Sequence, residues 1–297
     1  MVACSPMDAD RAAAPAIVAG GPEEDMARRR WSAPRRALVT GASSGLGRAI
    51  ALELAARGCE VWLAARRVGE LESAAAAIRA RGGRAVAREL DVRDAERVVA
   101  CVRDWDRECG GFDLVLANAG IGTGRRRGVH DPAAEQELWR VNLVGAAATL
   151  CGALEPMLAR GHGTLAAVTS LAGRRGMPGS GAYAASKAAL TAYLESLRCE
   201  VEPRGLHVVE LRPGYVHTAL TAQNDFAMPF AWPVERAAAV CVDALCARRR
   251  VRAFPWQLVL ATSVLRVLPT GLYTRLARGL PGSKRSADAL PAPEAGA

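Results

Sequence analysis

Lysine is almost absent from this chain. Of its 39 basic residues 37 are arginine and two are lysine. A bias this strong leaves arginine wherever positive charge alone is needed. A surviving lysine therefore points to chemistry that a planar, permanently charged guanidinium cannot perform. The eight cysteines contain no C-x-x-C pair and do not cluster with the four histidines, which speaks against a zinc centre, any other metal site and a disulfide framework. Most of them fall in apolar helical patterns, where a free thiol acts as a small hydrophobe, and this suits a reducing, cytoplasmic compartment. No secretory signal is convincing, because the apolar piece at residues 12–20 is short and broken by Pro15. The longest apolar run near the C-terminus, residues 253–265, is followed at once by Arg266 and is too short to span a bilayer. The formal net charge of +9 would favour an anionic partner. Because the arginines are interleaved with Asp and Glu, nucleic acid is set aside, and a polyanionic cofactor is a sufficient use for a few of them.

At 297 residues and 51% hydrophobic content the chain can bury a full core. Residues 1–33, rich in Ala, Pro, Gly and charge without a sustained period, read as a disordered leader, within which Met26 offers an alternative start. From Arg36 onward short apolar runs alternate with amphipathic stretches. Strands are expected at 37–40, 61–64, 85–90, 114–116, 164–169 and 208–211. Helices are expected at 47–57, 70–81, 95–109, 132–160 (interrupted near Pro156) and 182–201. Such alternation predicts a doubly wound α/β domain, a parallel sheet covered on both faces, over residues 34–250. A helical extension at 251–280 and a disordered tail at 281–297 complete the expected organisation.

The remaining lysine of interest is Lys187, four residues after Tyr183. At about 100° per residue a helix places these two side chains within roughly 40° of each other on one face. An ammonium beside a phenol favours phenolate and lowers a pKa ordinarily near 10, which makes tyrosine usable as a general acid/base near neutrality. Elsewhere, Thr40-Gly41-Ala42-Ser43-Ser44-Gly45-Leu46-Gly47 lies at the first strand-to-helix turn, where a doubly wound fold binds a dinucleotide. Its glycines permit a tight turn, and the following helix N-terminus faces the pyrophosphate. The second strand ends in Ala64-Ala65-Arg66-Arg67, without the carboxylate that holds the ribose 2′-hydroxyl of NAD. Two guanidiniums in that place suit a 2′-phosphate and hence NADP.

With these pieces the chain resembles the short-chain dehydrogenase/reductase superfamily over residues 36–218. Asp91-Val92 follows the third strand, where the family contacts adenine. Asn118, Ala119 and Gly120 close the fourth strand, with Ala117 in place of the family's first Asn. Asn142 matches the helix asparagine that holds a proton-relay water. Ser170 stands 13 residues before Tyr183, the family spacing for the substrate-orienting serine. Pro213-Gly214-Tyr215-Val216-His217-Thr218 resembles the Pro-Gly-x-x-x-Thr segment over the nicotinamide. The resemblance implies hydride transfer between NADP(H) and a ketone, aldehyde or alcohol without a metal. Tyr183 would be the acid/base, Lys187 would lower its pKa and bind the ribose, Ser170 would donate to the substrate oxygen and Asn142 would support the relay. A same-fold epimerase or dehydratase, or a catalytically silent NADP-binding regulatory protein, are the alternatives.

Substrate identity is expected to lie in residues 219–233, which carry Phe226, Met228, Pro229, Phe230 and Trp232. These residues read equally as an apolar loop over the site, fitting an apolar carbonyl or alcohol substrate, and as a loop packed on its own core. Residues 254–280 read as a lid helix or subunit contact ahead of an interfacial membrane helix. The Ala- and Leu-rich helices at 132–160 and 182–201 are expected to pair subunits in a homodimer or homotetramer.

Overall fold

The computed structural model describes residues 34–122, 130–224 and 227–278. Most strands of this chain are apolar on both faces, which is satisfied only when helices cover the sheet from both sides. The strands are β1 (Arg36–Thr40), β2 (Glu60–Ala65), β3 (Ala85–Glu89), β4 (Leu114–Ala117), β5 (Gly163–Val168), β6 (Leu206–Pro213) and β7 (Val251–Phe254). They pair in the order β3-β2-β1-β4-β5-β6-β7, every neighbouring pair parallel. The helices are α1 (Gly45–Ala56), α2 (Val68–Arg79), α3 (Ala95–Cys109), α4 (Pro132–Trp139), α5 (Ala146–Arg160), α6 (Gly181–Val201), α7 (Val234–Cys246), α8 (Trp256–Val267) and α9 (Thr270–Arg278).

Alternation along each strand sorts the core into two layers. Val39, Leu63, Leu116 and Leu211 face α1, α2 and α7, which contribute Leu54, Leu71 and Leu245. Leu38, Trp62, Val115 and Val208 face the opposite way, onto Val102 of α3, Leu150 of α5 and Leu194 of α6. Each fully buried side chain of this kind contributes about 1.5–3 kcal/mol. This is the expected doubly wound architecture, and strand order reverses between β1 and β4, where such sheets open a crevice at their C-terminal ends.

The structure corrects the expected elements in two places. The helical region at 132–160 is interrupted by a π-helical turn, Arg140–Gly145, and not at Pro156, which sits inside α5. A Cβ on Gly145 would lie 2.5 Å from the Val92 carbonyl oxygen, so the turn is pressed against the chain leaving β3. Pro156 lies in the second half of α5, where the loss of one backbone hydrogen bond does not end the helix. The second correction concerns the boundary at residue 250. The four residues that follow it form β7, which pairs with β6 from Glu210↔Val251 to Pro213↔Phe254, so the sheet continues into the supposed extension. The helical run Pro132–Arg160 has the length and apolar character of a membrane span, yet more than half of its most apolar stretch is buried inside this domain. The leader at 1–33, the tail at 281–297 and the start at Met26 lie outside the described residues.

Candidate active site

At the switch point the ends of β1 and β4 are tied by one side chain. Asn118 Nδ2 donates to the carbonyls of Thr40 (3.0 Å) and Gly41 (3.3 Å), and its backbone N–H donates to Thr40 Oγ1 (3.2 Å). The Gly-rich turn then passes so close that side chains are excluded. A Cβ on Gly47 would lie 2.2 Å from Asn118 Nδ2, and one on Gly41 would lie 2.7 Å from Ala119 Cα. Gly41 and Gly45 also have φ of 69° and 57°, values that favour glycine. The result is a bare backbone cradle leading into the N-terminus of α1, a fit for the phosphates of a dinucleotide.

This cradle forms one end of a cleft of about 460 Å³. All the expected cofactor residues line it: Gly41, Ser43, Ser44, Gly45, Leu46, Gly47, Arg66, Arg67, Asp91, Val92, Asn118, Ala119, Gly120, Tyr183, Lys187, Pro213, Gly214, Val216 and Thr218. The two arginines after β2 differ. Arg67 is engaged with Ser43 Oγ (3.0 Å), Ser44 Oγ (2.7 Å) and Glu70 (3.0 Å), whereas Arg66 is exposed and makes no hydrogen bond among the described residues. Asp91 accepts from the guanidinium of Arg93 at 2.9 and 2.8 Å, which holds its carboxyl below the usual range. Opposite the cradle, a Cβ on Gly45 would lie 3.4 Å from Thr218 Cβ, so the chain after β6 closes over the turn. Gly214 donates to the Phe254 carbonyl at 2.7 Å and has Leu258 of α8 so near that a Cβ would lie 2.7 Å from it.

Ser170, Tyr183 and Lys187 line the same cleft. Ser170 caps the short 3₁₀ turn Leu171–Arg174, accepting from Ala172 N–H at 3.1 Å, and its Oγ donates to the Pro213 carbonyl at 3.5 Å. Lys187 is 4% exposed; its Nζ lies 5.9 Å from the Tyr183 ring centroid and donates to the Val168 carbonyl at 2.9 Å. The i, i+4 geometry is as expected, but the electrostatics differ. Burial pushes the Tyr183 phenol above its usual range, and the neighbouring Ser170 hydroxyl, rather than Lys187, opposes that rise. Burial also lowers Lys187 to about 8, because a charged ammonium is costly away from water. Asn142 lies behind the wall, fully buried in the π-helical turn. Its Oδ1 accepts from Ile121 N–H (2.8 Å), while Nδ2 donates to the Ile121 carbonyl (3.0 Å) and to Ser186 Oγ (3.3 Å). Its side chain is thus a clamp between the end of β4 and α6.

Three wall residues carried no sequence signal, Ile121, Val141 and Thr169, and Leu220 and Thr221 of the expected 219–233 loop line the cleft as well. Thr169 donates to Glu210 (2.7 Å), a carboxylate with 0% exposure that also accepts from Thr191 (2.7 Å) and forms a two-point pair with Arg212 (2.6 and 2.8 Å). Glu210 and Arg212, on the same face of β6, thus meet beneath the site. The aromatic loop divides. Trp232 stacks on Phe254 with centroids 5.0 Å apart and so belongs to packing, while Phe226 lies outside the described residues. Met228, Pro229 and Phe230 are not among the residues lining the cleft, and this region reaches it through Ala219, Leu220 and Thr221.

Comparison with known proteins agrees with this geometry. The family model for short chain dehydrogenases matches residues 35–227. The chain belongs to the short-chain dehydrogenase family. As a member of it, the chain is 42% identical over 255 residues to an uncharacterized oxidoreductase of Myxococcus xanthus strain DK1622, covering 83% of this chain and 97% of that one. An alcohol dehydrogenase from the archaeon Thermococcus sibiricus, solved with 5-hydroxy-NADP, superposes with a TM-score of 0.67 at 30% identity, over 74% of this chain and 94% of that one. A short-chain dehydrogenase/reductase from Burkholderia phymatum in complex with NAD shares the fold, with a TM-score of 0.72 at 23% identity over 78% of this chain and 93% of its own. This short-chain dehydrogenase is accordingly an oxidoreductase.

Proposed function

We propose that this dehydrogenase interconverts an apolar ketone or aldehyde and the corresponding alcohol with NADP(H), in the cytoplasm. The observation that carries this reading is the convergence of Ser170, Tyr183 and Lys187 on one cleft whose other end is a side-chain-free cradle. When bound, the nicotinamide supplies or accepts the hydride at the substrate carbon. In the reducing direction Tyr183 gives its phenolic proton to the carbonyl oxygen, and a raised pKa suits it to hold that proton until the oxygen gains charge. Ser170 hydrogen-bonds the same oxygen and orients it. Lys187, lowered to about 8, exchanges its own proton near neutrality and can restore that of Tyr183. Asn142 holds Ile121 and Ser186 in register, and a relay water at its turn would link Lys187 to solvent. Arg66, with Ala65 in place of a carboxylate, supports the preference for a 2′-phosphate, while Arg67 braces the Ser43-Ser44 turn.

An apolar substrate is supported by the wall beside Lys187. A Cβ on Gly120 would lie 3.7 Å from Lys187 Nζ, Ile121 follows it, and a Cβ on Gly122 would lie 3.1 Å from Leu220 Cδ1. Assembly through α4–α6 is supported by exposed Trp139 and Val144 and by the exposed small face Ala185, Ala188, Ala189 and Ala192. Tyr183→Phe tests the chemistry: cofactor binding and folding should persist while NADPH-linked ketone turnover falls about 10²–10⁴-fold. Near-parental turnover with normal cofactor affinity would refute the assignment.

A further inference from the structure

The net charge of +9 is not spread along the chain: residues 244–287 contain nine basic residues and no Asp or Glu, so the remainder is balanced. Within that segment α8 presents an unpartnered apolar stripe. Trp256, Leu260, Val264 and Val267 are 71%, 58%, 51% and 79% exposed. At about 100° per residue their positions fall within an arc of roughly 80°. On α9, Leu272 and Leu276 are exposed at i, i+4, while Tyr273 and Ala277 turn inward. Arg275 and Arg278 lie on the side of Leu272 away from that buried edge, and Arg266 closes α8. Arg266 and Arg275 form no ion pair among the described residues. The inner faces of both helices are fixed to the loop after Ser170. Arg174 donates to the Val259 carbonyl (3.1 Å) and to Ser263, Arg175 sits 4.3 Å over the Tyr273 ring, and Tyr273 donates to the Gly176 carbonyl. The stripe is therefore a rigid outer face.

We propose that α8 and α9 bind the surface of an anionic phospholipid bilayer, lying in its plane. A 12-residue helix is about 18 Å long, short of the roughly 30 Å hydrocarbon core, so α8 cannot span it. Its chemistry is that of an interfacial helix: a tryptophan and aliphatic side chains enter the acyl boundary while arginines meet lipid phosphates. A nucleic acid would use the arginines and leave the apolar stripe in water. A second copy of the chain would bring Arg266 and Arg275, neither ion-paired among the described residues, against the same positive charges. An anionic lipid surface accounts for both features.

Vesicle flotation tests this with the full chain. Vesicles of phosphatidylcholine and phosphatidylglycerol at about 3:1 should carry the protein upward, with pure phosphatidylcholine retaining far less, since each arginine near the surface contributes a factor of roughly five. Trp256→Ser/Leu260→Ser/Val264→Ser should abolish flotation and the blue shift of tryptophan emission on vesicle addition, with the parental circular dichroism spectrum and mass preserved. Arg266→Ala/Arg275→Ala should weaken flotation by about ten-fold or more and reduce its salt dependence. Equal flotation of parent and triple variant, or equal binding to charged and neutral vesicles, would overturn the proposal. So would a triple variant whose mass falls from oligomer to monomer, because the stripe would then be a subunit contact.

Discussion

Replacing Lys187 by methionine should make the protein more stable and leave it catalytically dead. The ammonium is 4% exposed, and burial lowers its pKa from 10.5 to about 8. That gap of about 2.5 is worth roughly 3 kcal/mol against the charged folded state at pH 7. Methionine keeps the stem and drops the charge, but it forfeits the 2.9 Å hydrogen bond to the Val168 carbonyl, a loss of about 1 kcal/mol. The net gain is about 2 kcal/mol, or about 4–8 °C in melting temperature for a domain of this size. Between about pH 8 and 10.5 the unfolded chain holds the proton that the folded chain has released, so the parent gains stability as pH rises through that window. Below it the full cost persists. The advantage of the variant is thus largest at and below neutrality and vanishes towards pH 10.5. Urea unfolding of parent and variant at matched pH values between about 6.5 and 10.5 reads the difference directly, with other titrating groups cancelling. A variant no more stable than the parent at pH 7, or a difference independent of pH, would refute the reasoning.

Arg66→Ala should remove most of the preference for NADPH over NADH, a loss of about 1.5–3 kcal/mol for a charge-assisted contact, read by titration of cofactor fluorescence. Equal affinities in the parent would count against it. Lys187→Arg keeps the charge but not the compact donor geometry, so turnover should fall severely while the protein still folds. Light scattering at micromolar concentration should give the mass of a dimer or tetramer, and a monomer would contradict pairing through α4–α6.

Much of the framework was legible because both of its periods were clean. Residues 95–109 read as a helix and are α3, with Asp94 as its cap and left-handed Gly110 as its stop. Five of the six expected strands coincide with β1–β5 to within a residue at their ends, and β6 runs two residues beyond the expected 208–211 at each end. β7 was hidden because Val251-Arg252-Ala253-Phe254 is a short edge segment whose apolar residues run on into α8. The π-helical turn had only a faint signal, two poor helix formers, Asn142 and Gly145, within a strongly helical stretch. Pro156 drew attention away from them. At the site the glycines, Tyr183 and Ser170, which line one cleft, were legible from the Gly-rich turn, the i, i+4 lysine and the 13-residue spacing of the family resemblance. The wall formed by Ile121 was not, since an apolar residue in a loop looks the same whether it meets a substrate or a neighbour. The behaviour of Tyr183 was misread for a related reason. Spacing shows that a lysine is near, whereas the pKa depends on how much water the fold removes, and here that outweighs the neighbour.

The pairing of β7 with β6 means that the reach of the family model and mechanical completeness end at different residues. The family model stops at 227, while the hydrogen bond that anchors Gly214 is accepted by Phe254. A chain shortened to the recognisable part would leave β6 as a bare apolar edge, open to pairing with another molecule. It would also release the loop that closes the cleft. The stretch beyond the family model is therefore required in place, because it is the bracket on which the matched part hangs.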